Sequence, residues 1–262
     1  LKIQTLMPSL IRYVDRNPHL SDTPQELRAL AHIYTFSPES SNGTRKGNVI
    51  YHGLPASITD SVLASLVFRY GHEPFAQCLD AVQHMDQDEK THLYKVACSR
   101  MTQHDVVDRA FEMTQMMFEA EMSETAFAQF KRHRLVSILK QAESTNIGMV
   151  IPETVVLAGL GDEYLKIYQR ARHLHDAIAE LHGEPVASYV LPLGNTTRVL
   201  LGMNPRELYN ISRLRADGHA QWEIRDTAKN MIDLVQERDP IITSLLAGKD
   251  EFAATRSHLY DS

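Results

Sequence analysis

The sequence has few cysteines, the residues whose disulfides stabilise many extracellular proteins. It contains two cysteines, Cys78 and Cys98, which cannot form a disulfide network and fit a reducing cytoplasm. No apolar run approaches the ~20 residues that a membrane-spanning helix needs. The opening residues also lack the apolar stretch of a signal peptide. We therefore expect a cytoplasmic protein without a membrane partner.

Positive charge is also scarce, because 27 lysines and arginines are set against 33 acids and give a net charge of −6. General nucleic-acid binders usually carry a basic surplus, so we expect no nucleic-acid partner. Three histidines share one predicted helix, His173, His175 and His182, but none lies four residues from another. That spacing does not suit a metal on a helix face, and we expect no metal site.

Capping residues and apolar spacing predict a mixture of helices and strands. The predicted helices cover residues 23–36, 57–71, 74–85, 90–101, 123–143, 162–182, a segment that starts at Asn204, and 218–238. The predicted extended segments cover residues 110–122, 187–193 and 196–203, and residues 37–48 are predicted to form a polar loop. Because no repeat or clear linker interrupts this order, the pattern predicts one α+β domain.

Two of these helices carry apolar faces that we expect to be buried. The face of the helix at 162–182 consists of Ile167, Ala171, Leu174, Ile178 and Leu181. The face of the helix after residue 218, which Asp217 is expected to cap, consists of Ile224, Ala228, Met231 and Val235. Trp222, the single tryptophan, is expected either beside a binding site and semi-buried or wholly in the core.

Four potential cations follow one another at residues 131–134, in a predicted helix that also carries Phe127 and Phe130. Arginines in such a cluster can grip phosphate oxygens with paired N–H groups. The alternative is a solvated basic turn near a helix end. The residues alone leave both interpretations open.

The helix that begins at Asn204 carries a second group of donors. Asn204 followed by Pro205, with Glu207 at the third helical position, is a good N-cap, so Asn204 has a structural role available to it. Donors follow on one polar stripe at Arg206, Asn210 and Arg213, and further along the chain at Arg215 and His219.

Two segments resemble the flavin-dependent thymidylate synthases, which methylate deoxyuridylate with the help of a flavin. Residues 190–228, VLPLGNTTRVLLGMNPRELYNISRLRADGHAQWEIRDTA, are similar to the C-terminal signature of that family, above all between Leu214 and Ile224. Residues 110–137 resemble the strand and helix that carry its Arg-His-Arg motif. The resemblance divides the chain into an atypical helical part at 1–104, a core at 105–240 and a tail at 241–262.

The resemblance implies the fold, the assembly and the site of that family. The implied fold is a mixed or antiparallel sheet flanked by long helices, and the implied assembly is a homotetramer. Contacts to FAD are implied for Arg132, His133, Arg134, Asn204, Arg206, Asn210 and His219. Catalytic contacts to the pyrimidine are implied for Gln129 and Arg215, with Arg215 stabilising negative charge on the ring, and a substrate contact is implied for Ser137.

The implied reaction is the reductive methylation of dUMP to dTMP, with FAD as the cofactor and with NADPH and methylenetetrahydrofolate as cosubstrates. Three substitutions erode the implied nucleotide site, because Ala142, Ser144 and Ser188 stand where the family has a serine and two arginines. Loss of two charged phosphate contacts, each worth about 1.5–3 kcal/mol, weakens nucleotide binding by roughly two to four powers of ten. Lys131 or Lys140 could restore part of that charge.

Three hypotheses therefore stay open. The first is a flavin-dependent methyltransferase of the thymidylate synthase type. The second is an FAD-dependent enzyme of the same fold that acts on a different substrate. The third is a non-catalytic paralogue with a structural or regulatory role.

Overall fold

The computed structural model describes residues 5–8, 23, 27, 44–53 and 57–261. The chain divides into two compact units, Leu1–Asn42 and Gly43–Ser262, and the named strands and helices belong to the second. Most of the predicted helix at 23–36 lies outside the described residues, as do residues 37–43 of the predicted loop. Among the described residues, no helix combines the length and apolar character needed to cross a membrane.

Five antiparallel strands form one sheet in the order β1-β2-β3-β5-β4. The strands are β1 Thr44–Lys46, β2 Val49–Tyr51, β3 Met116–Ser123, β4 Ser137–Lys140 and β5 Thr196–Met203. The two central strands pair along their whole length, from Met116 opposite Met203 to Ser123 opposite Thr196. Together with the helices below, this antiparallel sheet confirms the predicted α+β fold class.

Two of the described helices, Glu124–Phe130 and Trp222–Gln236, pack against the sheet. The described helices are α1 Ile58–Tyr70, α2 Phe75–His84, α3 Gln87–Cys98, α4 Glu124–Phe130, α5 Glu153–Leu157, α6 Gly161–His182, α7 Glu184–Ala187, α8 Pro205–Arg215, α9 Trp222–Gln236, α10 Pro240–Thr243 and α11 Phe252–Asp261. Short 3₁₀ turns cover Arg109–Glu112 and Ser188–Val190.

Side chains cap the starts of three helices, and one of them is the predicted cap Asn204. The Ser57 hydroxyl accepts a hydrogen bond from the Asp60 N–H at 3.1 Å, and the Ser123 hydroxyl accepts one from Ala126 at 3.1 Å. The Asn204 side-chain oxygen accepts a hydrogen bond from the Glu207 N–H at 2.9 Å. Each bond satisfies a donor that the first turn of a helix leaves unpaired, so these caps fix where α1, α4 and α8 begin.

The strand prediction at 110–122 is confirmed only from Met116 onward, where β3 buries alternate side chains, and it is wrong at its start, where Arg109–Glu112 forms a 3₁₀ turn. The prediction at 196–203 is confirmed for β5. Residues 44–46 of the predicted loop instead form β1. Residues 187–193 were expected to be extended, but α7 ends there and a 3₁₀ turn follows.

The predicted helix at 123–143 is wrong beyond Phe130. The chain turns there, and Ser137–Lys140 forms β4 at the edge of the sheet. The backbone of these four residues pairs with β5, from Ser137 opposite Gly202 to Lys140 opposite Val199. Pairing with a strand about 60 residues away decides this structure, and the local sequence pattern does not contain that information.

The core lies between the sheet and the last two long helices. The predicted face of α9 is buried at Ile224, Ala228, Met231 and Val235, which confirms that prediction. The predicted cap is wrong, because Gln221 caps α9 through a 3.0 Å bond from the Ile224 N–H. Asp217 is used differently, in the loop before the helix.

The predicted buried face of α6 is also wrong within this chain. Ile167, Leu174 and Leu181 are 59%, 52% and 77% exposed, whereas Tyr168 and His175 are buried. Tyr168 anchors the helix by donating to the carbonyl of Gly148 at 2.9 Å. Helix α6 therefore turns its apolar side chains away from the core.

Candidate active site

The imidazole of His133 joins the end of α4 to α8. His133 is buried, and its Nε2 accepts a hydrogen bond from Arg215 Nε at 3.0 Å. A guanidinium can only donate, so this contact leaves Nε2 without a proton in the neutral ring. The proton therefore lies on Nδ1, which donates to Glu207 Oε1 at 3.2 Å.

Glu207 is the buried centre of this group. Its backbone N–H donates to the capping oxygen of Asn204, and its carboxylate accepts from Asn210 Nδ2 at 3.3 Å. Asn204, Asn210, His133 and Arg215, which lie up to 82 residues apart, thus share one hydrogen-bond network. The sequence indicated only a capping role for Glu207, and its position in the Asn-Pro-x-Glu pattern was the signal for its place here.

Arg215 extends the network to Gln129. Arg215 Nη2 donates to the backbone carbonyl of Gln129 at 3.3 Å. Burial lowers the pKa of Arg215, and the nearby charge of Arg132 lowers it further. Two guanidinium groups of like charge therefore lie close together at this end of α8, an arrangement that favours an anionic ligand.

A cavity of about 200 Å³ lies beside the network, between α8 and the loop at residues 103–107. Arg206 and Asn210 line it. Arg206 also forms an ion pair with Glu112, and the hydrogen bonds from Arg109 and Arg206 lower the pKa of that carboxyl group. The cavity thus joins two of the residues predicted to contact FAD.

The remaining predicted site residues lie at the surface. Arg132, Arg134, Ser137 and His219 are exposed. The His219 ring is held by Asp217, whose Oδ1 lies 2.9 Å from Nδ1.

The loop that carries His219 is itself tied to the C-terminal part of the chain. The carboxylate of Asp250 accepts from the Gly218 N–H at 2.9 Å, and the Asp250 N–H donates to Asp217 at 3.3 Å. Lys249, which precedes Asp250, lines the cavity. Residues beyond α10 therefore contribute to the same region as α8.

Lys140 is not a free cation that could replace the arginines missing at Ser144 and Ser188. The Lys140 ammonium lies 2.9 Å from Glu124 and 2.5 Å from Glu143. Burial opposes the charged form of Lys140, but the two hydrogen bonds outweigh it and raise the pKa. The hydroxyl of Ser144 accepts from the Asn146 N–H, and that of Ser188 donates to the Pro185 carbonyl.

Trp222 is the first residue of α9 and is 38% exposed. The prediction that buries Trp222 wholly in the core is therefore wrong, and the alternative beside a binding site stays a prediction. Among the described residues, no group of three or more histidine, cysteine, aspartate or glutamate side chains is arranged to hold a metal ion.

The sequence matches the model of the thymidylate synthase complementing protein family, Thy1, over residues 59–241. The chain belongs to the Thy1 family. Its Arg-His-Arg segment and α8 both lie within the matched residues, so the His133–Glu207–Arg215 network is part of a Thy1 domain.

Relatives of this Thy1 chain are of two kinds. A UPF0159 protein of Thermoplasma acidophilum is 23% identical over 230 residues, which are 87% of this chain and 46% of that protein. A flavin-dependent thymidylate synthase of Sulfolobus acidocaldarius is 42% identical over 76 residues, which are 29% of each chain. The chain spans less than half the length of the UPF0159 relatives that it matches.

A solved structure shares the fold. The UMP/dUMP methylase PolB from Streptomyces cacaoi, bound with 5-Br dUMP, superposes with a TM-score of 0.60 at 18% identity. The match covers 79% of this chain and 95% of the methylase.

Proposed function

We propose that this Thy1 chain is a flavoenzyme that binds FAD beside α8 and methylates a pyrimidine nucleotide reductively, with dUMP as the first candidate substrate. The convergence of His133, Glu207 and Arg215 carries the proposal. It brings the Arg-His-Arg segment and α8 into one network, next to a cavity that Arg206 and Asn210 line.

The donors of this region suit the phosphates and the ring of FAD. Guanidinium groups of Arg132, Arg134 and Arg206 are the paired donors that phosphate oxygens accept, and the Asn210 amide can bond to a ring or a sugar. A cavity of about 200 Å³ encloses only part of a dinucleotide, because sites for drug-sized ligands run to roughly 300–1,000 Å³. The remainder of the ligand would lie against the exposed Arg132 and Arg134.

Arg215 is proposed to stabilise negative charge on the pyrimidine ring during carbon transfer. Its Nε is held by His133 and one Nη2 hydrogen by the Gln129 carbonyl, so the guanidinium is oriented before substrate binds. The donor hydrogens that remain can face an anionic ring without reorganisation, which is the main source of electrostatic catalysis. The Gln129 side chain is proposed to bind the ring beside it.

His133 is proposed as a positioning residue. It accepts from Arg215 only while Nε2 is unprotonated, and Glu207 maintains that tautomer by accepting the Nδ1 proton. When bound, the flavin would supply the hydride for reduction of the transferred carbon, with NADPH as the reductant and methylenetetrahydrofolate as the carbon source.

A second candidate is a flavoenzyme of this fold that acts on a different substrate. The paired state of Lys140 favours it, because its two carboxylate partners leave no net positive charge there for a nucleotide phosphate. The hydroxyls of Ser144 and Ser188 supply no charge either.

We further propose that the chain assembles as a homotetramer. Helix α6 exposes Ile167, Leu174 and Leu181 along one face. A contiguous apolar surface of this kind typically marks a protein interface. Other copies of the chain are its proposed partners.

The test of the flavin proposal is an absorbance spectrum of the purified protein followed by titration with FAD. We expect a flavin spectrum, and roughly tenfold weaker FAD binding in Arg132→Ala and Arg206→Ala, since each loses a charged phosphate contact. Arg45→Ala, a charge-matched change on β1, should bind like the wild type. A colourless protein that does not bind added FAD would exclude a flavoenzyme.

The test of the substrate is tritium release from labelled dUMP in the presence of FAD, NADPH and methylenetetrahydrofolate. Release by the wild type, and its loss in Arg215→Ala, would support dUMP methylation. Tight FAD binding without tritium release would eliminate dUMP and favour the second candidate.

A further inference from the structure

Arg213 is a buried cation whose donors are only partly used. Only 7% of its surface is exposed, and its Nη1 donates to the backbone carbonyls of Gln103, at 3.1 Å, and of Asp105. Its Nε and Nη2 are buried without any hydrogen-bond partner. Its Cζ lies 4.8 Å from the centre of the Phe252 ring, so the guanidinium is held by the two carbonyls and packs over that ring.

None of the described hydrogen bonds of Arg213 goes to a charged group. Its acceptors are backbone carbonyls and its ring neighbour is neutral, while the carboxylate of Asp105 acts on it only through space. Burial lowers the pKa of Arg213 because the charged form loses water. A buried cation without a bonded counter-charge is costly, and buried donors without acceptors add to that cost. An anion next to this guanidinium would offset both terms.

The cavity beside α8 is where such an anion can enter. Arg213 lines it together with Arg206 and Lys249. The one acidic side chain in the lining is Asp105, and its carboxylate accepts from the N–H and the hydroxyl of Thr102 at 2.8 and 2.7 Å. Glu112 neutralises Arg206, so the excess of positive charge in the lining comes from Arg213 and Lys249 set against Asp105.

We propose that Arg213 and Lys249 form a phosphate-binding subsite at this end of the cavity. This subsite shares its cavity with the proposed FAD site, and it depends on the proposed function in that respect alone. A fixed planar guanidinium beside a mobile ammonium matches the tetrahedral oxygens of a phosphate or diphosphate. A cavity of about 200 Å³ has room for such a group but not for a whole dinucleotide.

Two sources can supply the phosphate. One is the diphosphate of the flavin, and the other is a separate phosphorylated molecule that occupies this end of the cavity. Arg213 lies within the residues that match the Thy1 model, whereas Lys249 lies beyond them, since the match ends at residue 241.

The experiment uses inorganic pyrophosphate as the probe, with binding to the whole chain measured by calorimetry at low salt. The variants are Lys249→Met and Arg213→Met, and Arg45→Met is the charge-matched control on β1. We expect each cavity variant to bind pyrophosphate about tenfold more weakly or worse, since each loses a charged contact. The control should bind like the wild type.

Thermal unfolding of each variant precedes the binding measurement. Arg213→Met replaces a buried side chain, whereas Lys249 is exposed, so Lys249→Met provides a test that does not depend on a buried substitution. Wild-type affinity in either folded variant, or no pyrophosphate binding by the wild type, would overturn the subsite.

Titrations with FAD and with riboflavin identify the source. If the cavity variants weaken FAD binding but not riboflavin binding, the phosphate belongs to the flavin. If both flavins bind as in the wild type while pyrophosphate binding falls, the phosphate belongs to another ligand. A wild type that binds pyrophosphate but not FAD would refute the flavoenzyme and leave the subsite standing.

Discussion

Arg215 Nε and His133 Nε2 are 3.0 Å apart, and this contact fixes the tautomer of a buried histidine. Because Arg215 always donates, His133 must carry its proton on Nδ1, opposite the carboxylate of Glu207. Helix α8, which begins with a capping pattern, thus determines the hydrogen-bonding state of a residue in the turn between α4 and β4.

Replacement of the Glu207 carboxylate should weaken the hydrogen bonds of the whole network. In Glu207→Gln, one carboxylate oxygen becomes an N–H₂ group, which can only donate. It then faces either the Nδ1–H of His133 or the N–H₂ group of Asn210, and both of these are also donors. We expect the free energy of unfolding to fall by about 1.5–3 kcal/mol, as for loss of a charged hydrogen bond. Urea unfolding measures this change, and nitrogen NMR of His133 should show loss of the single Nδ1–H tautomer.

Glu237→Gln is the matched control, because Glu237 is exposed after the end of α9. Its stability should stay within about 0.5 kcal/mol of the wild type. Equal stability of the two variants would show that the His133–Glu207 bond contributes nothing.

Lys140 is expected to act as a structural cation and not as a phosphate ligand. In Lys140→Met, the carboxylates of Glu124 and Glu143 lose their shared partner, so stability should fall near neutral pH. The folded-state pKa of Lys140 is raised above 10.5, so its contribution is full below that pH and is lost as pH rises further. The stability difference from the wild type should therefore shrink above pH 10.5.

Binding provides the second measurement on Lys140→Met. Pyrophosphate and dUMP affinities should match those of the wild type, because the ammonium is already paired. A clear loss of affinity for either ligand would mean that Lys140 replaces the missing arginines after all.

The buried thiol of Cys98 should make stability depend on alkaline pH. Burial raises its pKa from 9.0 to about 12, so the folded chain holds it protonated where the unfolded chain releases the proton. Stability should therefore fall as pH rises from 9 toward 12. At pH 10 the loss is about 1 kcal/mol, from roughly 1.4 kcal/mol per pH unit above the unfolded value.

Comparison with Cys98→Ala measures the contribution of the thiol together with its electrostatic coupling to Tyr94 and Tyr209. Urea unfolding at pH 8 and pH 10, with reductant present, should show the wild type losing more stability than the variant. An equal loss of stability in the wild type and in Cys98→Ala would mean that folding does not raise the pKa of the thiol.

The exposed face of α6 predicts the outcome of charge insertion. We expect Ile167→Glu and Leu174→Glu to convert a tetramer into smaller species, because each places a charge in a buried apolar contact. Sedimentation velocity measures the change, and Gln169→Glu on the opposite side of the helix is the control. A wild type that is monomeric at micromolar concentration would refute the assembly.

The fold was predictable where local chemistry decides it. The caps at Ser57 and Asn204 bond to backbone groups three residues away, and the buried face of α9 follows helical spacing. The edge strand β4 was not predictable in this way, because its apolar residues also fit the end of a helix. Only the distant backbone of β5 distinguishes the two structures.

The candidate site was predictable by residue type more than by contact. Spacing and resemblance pointed to His133, Asn210 and Arg215, but no sequence pattern showed that Glu207 lies between them. The prediction of a buried face on α6 was wrong for a different reason. Its periodicity shows correctly which side chains prefer to leave water, but not whether this chain or another one covers them.

The link between Asp217 and Asp250 sets a limit on how far the chain can be shortened. A truncated form that stops at residue 241, where the family match ends, would lack Asp250, which bonds to the loop of His219, and Phe252, which packs against the Arg213 guanidinium. Residues beyond 241 are thus part of the wall of the cavity beside α8, and a deletion there would disturb the cavity and the fold together.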